Sequence, residues 1–407
     1  MKKAANIVVA TAFHPIEGGI ETFMYQVAKN WNLGESIVYC QGNSGEEQLK
    51  KEPFSINCRP AESRAFFVNL CRLIKRGYRS PWLCFLLAVN RDFVKHSGHR
   101  VLNILDDLKP DADFVIQSST VIPNGAIGVI LKKILKKKLV VYIYGSEINR
   151  FKRKVNNRLL MKHVFSKADR VISISGYTSE LMRGLVRNPD VIRTVNIGVD
   201  TDRFFPMKSR PEICEMSGIP MQAYVFLTMG RLIRRKGHDQ VLKALALIRP
   251  RQKNIFYIIA GRGPEEDHLK QLARKLGIYD HVRFVGFVKH SQVNAYMNAC
   301  DCFIMPNREE NGDVEGYGLV FIEANACGKP VIAGKSGGAV EAVKDNVTGL
   351  LVDPRSVEEI AAKMELIMRD HALAQRLASA GLRRAREELA WEKVCTKINN
   401  HIVGIMD

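Results

Sequence analysis

The sequence predicts an α/β protein built from two doubly wound parallel sheets. Short apolar runs, each followed by a turn and a helical pattern, predict buried parallel strands at residues 7–10, 139–143, 225–229 and 255–259. The strand-turn-helix pattern begins again near Val225, and a chain of 407 residues is too long for one ordinary core. We therefore expect two domains that bind ligands at the carboxyl ends of their strands.

The composition is ordinary for a globular protein, at 46% hydrophobic and 25% charged residues. No apolar run reaches the roughly 18 residues that a membrane-spanning helix needs. The sequence that follows Met1-Lys2-Lys3 lacks a signal-peptide core. Nine cysteines without a paired C-x-x-C spacing predict reduced thiols inside a cell. These features predict a cytoplasmic location and no zinc site.

The charge is large and uneven. The formal net charge is +19, and residues 1–200 carry 31 Lys and Arg against 17 Asp and Glu. A basic half predicts an anionic partner, which is either a membrane surface or nucleic acid. The chain has no aromatic-interleaved basic ladder, zinc finger or basic zipper, so nucleic acid is the less favoured partner. The basic clusters lie at Lys132–Lys138, at Lys152–Lys154 and at Arg72, Lys75, Arg76 and Arg79.

The first strand runs into a loop that ends in Gly18-Gly19, and a helix is predicted from Glu21 to Trp31. A glycine pair lets the backbone approach a bound group closely. A tight strand-to-helix turn requires glycine as well, so the spacing alone leaves both interpretations open.

Two Asp-x-Asp pairs resemble metal-binding motifs. Asp111 and Asp113 precede the predicted strand at Phe114, and Asp200 and Asp202 follow Val199. Chains commonly turn at such positions, where aspartate side chains bond their own backbone. We therefore expect no metal at either pair.

The second half begins with the strand 225–229, followed by Gly230-Arg231 and then Lys236-Gly237 before a helix from about His238. Cations at a helix start are unfavourable against the helix dipole unless an anion is bound there. Arg231 and Lys236 are therefore candidates for holding an anion, and two solvated cations are the alternative. The strand 255–259 ends near Gly263, and the strand 282–286 ends before Phe287.

The stretch from Arg308 to Pro330 carries the strongest signal. Glu315 and Glu323 lie eight residues apart, across the turn Gly316-Tyr317-Gly318 and an apolar run from Leu319. Gly328 and Pro330 stop that run, which predicts a helix. The amides of Tyr317 to Val320 would be unpaired donors at its N-terminus and would favour an anion. The spacing alone is equally compatible with acidic residues on the solvent-exposed face of an ordinary helix.

Together with the residues around it, this segment resembles the donor-binding signature of the retaining glycosyltransferases of family 4. That family has the GT-B fold, in which two Rossmann-like domains face a central cleft. The resemblance implies that Glu315 contacts the transferred sugar and Glu323 holds the nucleotide ribose. It also implies that the amides of Gly316, Tyr317, Gly318, Leu319 and Val320 bind the donor diphosphate. The run Gly312–Gly318 is similar to that of bacterial mannosyltransferases that act on lipid acceptors.

The resemblance extends along most of the chain. It implies that Arg231 and Lys236 bind the donor diphosphate, and that the backbone at the strand end before Phe287 holds the nucleotide base. The remaining donor-binding candidates are Gly18, Gly19 and Gly263. Tyr144 stands where family members usually have a His that contacts the sugar or acceptor, so a general base at that place is not expected. Tyr144 and Gly145 are the acceptor-side candidates.

The segment Asn196–Asp200 resembles the interdomain segment of the family. We therefore expect an acceptor-side domain over 1–200, a nucleotide-sugar domain over 201–385, and a helix over 386–407 that crosses back to the first domain.

The function that we expect is retaining transfer of a hexose to a lipid-linked or cell-envelope glycan acceptor. The best candidate donor is GDP-mannose, and another hexose on UDP is the alternative. Glu315, Arg231 and Lys236 are the expected catalytic residues, and neither a metal nor a cofactor is expected. The alternatives are an epimerase or hydrolase of sugar nucleotides on the same fold, and a basic nucleic-acid-binding module. Glu315 and Glu323 argue against the last, since carboxylates repel a polyanion. The basic first domain predicts peripheral docking to the anionic inner face of the cell membrane.

Overall fold

The computed structural model describes residues 5–10, 19–41, 52–59, 104–105, 107–108 and 113–406. The chain divides into two compact units. Unit 1 comprises Met1–Val195 with Val394–Asp407, and unit 2 comprises Asn196–Lys393. No helix within these described ranges is long and apolar enough to cross a bilayer.

Unit 1 contains a seven-stranded sheet in the order β3-β2-β1-β4-β5-β6-β7, and every described pairing is parallel. The strands are β1 (Ala5–Val9), β2 (Ser36–Gln41), β3 (Ser55–Arg59), β4 (Phe114–Ser118), β5 (Lys138–Ile143), β6 (Arg170–Ser173) and β7 (Ile192–Thr194). The α-helices in the part of unit 1 that the structure describes are α1 (Gly19–Lys29), α2 (Ala126–Leu135), α3 (Ser146–Phe151), α4 (Val155–Lys167) and α5 (Gly176–Leu181). The order reverses between β1 and β4, which is the switch point of a doubly wound sheet.

Unit 2 contains a six-stranded parallel sheet in the order β10-β9-β8-β11-β12-β13. The strands are β8 (Tyr224–Met229), β9 (Ile255–Ala260), β10 (Val282–Gly286), β11 (Cys302–Met305), β12 (Val331–Gly334) and β13 (Leu350–Val352). The helices up to β13 are α6 (Arg210–Ser217), α7 (His238–Ile248), α8 (Glu266–Lys275), α9 (Val293–Ala299), α10 (Leu319–Ala326) and α11 (Ala339–Ala342). Two parallel, doubly wound sheets confirm the predicted fold class.

The chain after β13 is helical: α12 (Val357–Arg369), α13 (His371–Glu387) and α14 (Trp391–Met406). The single helix predicted over 386–407 is therefore wrong at its start. The Val199 amide donates to the Leu389 carbonyl, and Val199 forms a parallel bridge with Ala390. These backbone bonds take residues 389–390 out of the helix. From Val394 onward, α14 belongs to unit 1, where the Cys395 thiol and the Asn399 amide donate to the carbonyls of Gln26 and Asn30.

The cysteines differ in state. Five described cysteines are free and buried, namely Cys214, Cys300, Cys302, Cys327 and Cys395. Cys40, in β2, is disulfide-bonded. The expectation of reduced thiols therefore holds for those five positions and is wrong for Cys40.

Four buried polar side chains form a continuous hydrogen-bonded row across β2, β1, β4 and β5. The Tyr142 hydroxyl donates to Gln117 Oε1, Gln117 Nε2 donates to Asn6 Oδ1 at 2.7 Å, and Asn6 Nδ2 donates to Ser36 Oγ at 3.0 Å. The strands on both sides of the row are apolar and buried. Each polar group is satisfied by its neighbour in the next strand, so the row fixes strand order as well as register.

The buried row generates a stability prediction. Gln117→Leu should lower the free energy of unfolding by about 2–4 kcal/mol, because it leaves the Tyr142 hydroxyl and the Asn6 carbonyl oxygen buried without partners. Adding Tyr142→Phe should recover part of the loss, since one orphaned group is then removed. Urea unfolding of the single and double variants measures both effects. Strictly additive losses would contradict a connected row.

Candidate functional site

The turn before α10 has the geometry of an anion site. Gly318 precedes the helix with φ of +93°, and a Cβ atom there would lie 2.5 Å from the Phe321 ring, so only glycine fits. Within the described chain, no hydrogen-bond acceptor faces the amides of Leu319 and Val320. Two free amides at the start of an eight-residue helix favour a bound anion. The predicted helix is therefore present and its N-terminus is available to a ligand.

Glu315 lies beside this turn, held by two cations. Its Oε2 atom accepts a hydrogen bond from Arg235 Nη1 at 2.6 Å and from Lys236 Nζ at 2.5 Å. The Glu315 side chain is only 14% exposed. Arg235 also donates through Nε to Asp313 Oδ2 at 3.1 Å. We call Arg235, Lys236 and Glu315 the ion triad.

The ion triad sets the charge of Glu315. Burial on its own would raise the pKa of Glu315, but Lys236 and Arg235 outweigh burial and lower the pKa to about 2. The carboxylate is therefore ionised throughout the neutral range. Because Oε2 serves both cations, Oε1 is left to accept a hydrogen bond from a ligand hydroxyl.

Glu323 lies on α10 in a different environment. The half-buried side chain has a pKa raised to about 7 by burial, which Arg203 and Lys236 oppose only partly. The two carboxylates thus differ in ionisation in the free protein. Glu315 is ionised, whereas Glu323 is close to its midpoint at neutral pH.

A second glycine turn, which follows β12, packs against the backbone of the turn before α10. The Gly338 amide donates to the Glu315 carbonyl at 2.9 Å. A Cβ atom on Gly338 would lie 1.9 Å from the Gly316 carbonyl oxygen, and one on Gly337 would lie 2.4 Å from that of Glu315. The turn after β12 can therefore pack on the backbone of the Glu315 segment only because it lacks side chains.

The other predicted donor residues of unit 2 follow the carboxyl ends of neighbouring strands. Arg231 follows β8 and is exposed, so the structure does not place it in the ion triad. Gly263 follows β9 and packs against the loop after β8, since a Cβ atom there would lie 2.3 Å from the Leu232 carbonyl oxygen. Phe287 follows β10 and is 59% exposed. All three lie at the same edge of the sheet as the start of α10.

Tyr317 contributes to this turn through its backbone. Its side chain is 1% exposed, and burial raises its pKa to about 12 against the effect of the nearby Arg384 guanidinium. The Tyr317 ring is therefore a core contact.

The acceptor-side candidates lie at the carboxyl end of β5 in unit 1. The Tyr144 ring packs edge-on against Phe23, and its buried hydroxyl has no hydrogen-bond partner among the residues that the structure describes. Burial raises the pKa of Tyr144 well above its ordinary value, so Tyr144 is a neutral donor and no base. Gly145 has φ of +100°, and Glu147 Oε1 accepts the Tyr144 amide at 2.7 Å. Gly19 begins α1 and is exposed, whereas Gly18 lies outside the described residues.

No cluster of three or more His, Cys, Asp or Glu residues suited to a metal occurs in the described parts of the chain. Asp200 accepts the amides of Asp202 and Arg203, so it caps a turn. Asp113 pairs with Lys137 at 3.4 Å, and Asp111 lies outside the described residues.

Sequence reasoning missed Arg235 and Arg203. Arg235 belongs to a short 3-10 turn, Arg234–Lys236, which brings consecutive side chains out in different directions. The pairing of Arg235 with Glu315 is therefore a product of the turn, and the run Arg234-Arg235-Lys236 was the only signal of it in the sequence. Arg203 acts on Glu323 from the start of unit 2 and carries no local motif.

Comparison with known proteins agrees with this geometry. A family model described as Glycosyltransferase Family 4 matches residues 17–203, and one described as Glycosyl transferases group 1 matches residues 209–384. The crystal structure of Anabaena HepE in complex with UDP has a TM-score of 0.77 at 20% identity, and covers 98% of this chain and 100% of that one. This likeness shows the fold.

Two relatives share the name GDP-mannose-dependent alpha-(1-6)-phosphatidylinositol monomannoside mannosyltransferase. The protein of Mycobacterium tuberculosis is 35% identical over 250 residues, which are 61% of this chain and 65% of that protein. The protein of Mycolicibacterium smegmatis is 32% identical over 272 residues, which are 66% of this chain and 71% of that protein. This chain belongs to glycosyltransferase family 4, whose fold is GT-B.

Proposed function

We propose that this protein transfers mannose from GDP-mannose to a phosphatidylinositol-based lipid acceptor with retention of anomeric configuration. The observation that carries the proposal is the ion triad beside the free amides of α10, which together form a place for a sugar and its diphosphate. The donor and acceptor come from the names of the two mycobacterial relatives. The same chemistry would serve another hexose on another nucleotide.

The leaving group determines what the site must do. When the bond between the sugar and the diphosphate breaks, negative charge develops on the departing phosphate. The amides of Leu319 and Val320, together with Lys236 and the exposed Arg231, supply positive potential that is fixed before reaction. No reorganisation is then needed as the charge develops. In this arrangement the side chains and backbone amides stabilise the departing phosphate.

Glu315 positions the sugar. Its Oε2 atom is occupied by Arg235 and Lys236, so Oε1 is the atom that accepts from a sugar hydroxyl. We propose front-face attack, in which the acceptor hydroxyl gives its proton to the departing phosphate oxygen. The C1–O bond to the diphosphate breaks as the new C1–O bond forms on the same face.

The acceptor is proposed to bind at unit 1, with Tyr144 and Gly145 on the acceptor side. Residues 1–200 carry 31 Lys and Arg against 17 Asp and Glu, which supports attraction to an anionic partner, and the phosphatidylinositol acceptor named for the two relatives favours a membrane surface over nucleic acid. We therefore propose a cytoplasmic protein that associates peripherally with the inner face of the cell membrane.

Donor selection tests the proposal first. GDP-mannose should raise the melting temperature more than UDP or ADP sugars, because a ligand at about 100 times its dissociation constant adds roughly 2.7 kcal/mol of stability. Radiolabelled mannose should then move to extracted phosphatidylinositol mannosides. Release of free mannose without transfer would favour hydrolysis.

The two carboxylates should have separable kinetic effects. Glu315→Gln should lower kcat about 100-fold, because its contact and charge matter most as the bond breaks. Glu323→Ala should raise the donor KM about tenfold, because it removes hydrogen bonds to the ribose. Steady-state kinetics measures both, with the exposed Glu309→Gln as the matched control. If both site variants kept wild-type kinetics, the assignment of these residues would be wrong.

Donor affinity should depend on pH through Glu323. The ionised carboxylate accepts the ribose hydroxyls, and with a pKa of about 7 its ionised fraction rises from about a tenth at pH 6 to about nine tenths at pH 8. The affinity for GDP should therefore increase by up to about tenfold over this range, measured by titration calorimetry. Glu323→Gln should remove this increase while keeping any titration of GDP itself. An identical increase in that variant would exclude Glu323 as its cause.

The reaction should not require a metal. Cationic side chains and helix amides provide the charge compensation in this proposal, so EDTA should leave the transfer rate unchanged. Loss of activity that added Mg²⁺ or Mn²⁺ restores would contradict it.

A further inference from the structure

Helix α4 and the residues before it are strongly basic. From Ile148 to Ala168 the chain has seven Lys and Arg residues and no Asp or Glu. Lys152, Lys154, Arg158 and Lys162 are exposed, and none has an ion-pair partner among the described residues. Cations that no neighbouring acid neutralises leave this side of unit 1 with an unbalanced positive potential.

The exposed face of α4 also carries aliphatic side chains. Val155 is 59% exposed and Leu159 is 39% exposed. Together with Lys162 and Ser166 they follow helical spacing and form one stripe along the solvent side of the helix. The opposite side packs into the core of unit 1 through Leu160, Met161, Val164 and Phe165. The solvent face of α4 is therefore amphipathic in its own right.

A groove of about 300 Å³ opens beside this stripe. On one side it is lined by Leu159, Lys162, His163 and Ser166 of α4, and on the other by residues 184–187. Lys162 and the exposed Arg187 place two positive charges at the groove. Leu159, Leu185 and Val186 give it an apolar lining. Such a groove suits a ligand that is anionic at one end and apolar at the other.

No residue of the Lys132–Lys138 cluster lines the groove, although Lys132 reaches the end of α4, where its Nζ donates to the Lys167 carbonyl at 2.9 Å. Lys138 begins β5, so that cluster lies at the amino end of the strand, opposite Tyr144 and Gly145. Helix α4 starts close to the carboxyl end of β5, because only α3 and a short turn separate them. It then runs back to the amino end of β6. A flat surface that contacts α4 along its length therefore extends towards the acceptor-side residues.

We propose that the exposed face of α4 and the groove beside it bind anionic phospholipid of a bilayer. Charge complementarity selects the anionic headgroup, and the exposed side chains of Val155 and Leu159 favour a membrane over a fully hydrated polyanion. This inference rests on the proposed membrane association and assigns it to a defined surface. The catalytic residues of unit 2 have no part in it.

Vesicle sedimentation of the full chain tests the assignment. The protein should sediment with phosphatidylcholine vesicles that contain phosphatidylglycerol, and added salt should release it. Lys162→Glu with Arg187→Glu should weaken this binding by about tenfold or more, since each cation near an anionic surface gives roughly a fivefold gain. Leu159→Ser should also weaken it, through loss of apolar contact alone. GDP should still raise the melting temperature of every variant as it does for the wild type.

The matched control is Lys136→Glu with Lys138→Glu, which makes the same change in net charge at the amino end of β5. It should retain most of the binding. If that control abolished binding while the groove variants did not, the Lys132–Lys138 cluster would be the docking surface and the proposal would be wrong. Equal affinity for vesicles without phosphatidylglycerol would also overturn it. Binding to a DNA duplex but to no vesicle would contradict both this inference and the membrane association in the proposed function. Sugar transfer would then still be tested separately, with acceptor dispersed in solution.

Discussion

The ion triad is the interaction on which the candidate site depends. Glu315 can be buried to 14% exposure only because Arg235 and Lys236 both bind its Oε2 atom. The triad joins the turn after β8 to the turn before α10, and so fixes the distance between two loops that come from adjacent strands. Removing Glu315 would leave two adjacent cations without their shared carboxylate, whereas removing one cation would leave Glu315 paired with the other. The triad thus stabilises the two loops, and in the proposed function it also orders the site before a donor binds.

Glycine is the second constraint at this edge of the sheet. The segments after β8, β9, β11 and β12 approach one another so closely that a Cβ atom at Gly261, Gly334 or Gly338 would lie about 2 Å from a neighbouring backbone oxygen. Backbone packing of this kind leaves amides rather than side chains at the surface of the site. The free amides and the triad therefore have one structural cause, which is the close packing of loops at the carboxyl ends of the parallel strands.

The sequence was informative where a local rule decides the structure. Gly318, Gly328 and Pro330 bounded α10 correctly, because glycine with positive φ and proline are strong helix limits. It was weaker where tertiary geometry decides: Arg235, which the sequence did not single out, binds Glu315, since a 3-10 turn sets the direction of its side chain. The predicted start of the last helix was wrong because Val199, nearly 200 residues away, bonds to Leu389. The polar row through Gln117 was also missed, since buried polar residues interrupt the apolar pattern that marks a strand.

The central claim is that the Glu315 site transfers a sugar from a nucleotide with retention. The anomeric configuration of the first product formed from GDP-mannose, determined by proton and carbon NMR, tests it most directly. GDP-mannose carries an α-linked sugar, so front-face attack at this site yields an α-mannoside of the lipid acceptor. A β-mannoside would require attack from the opposite face and would contradict the account.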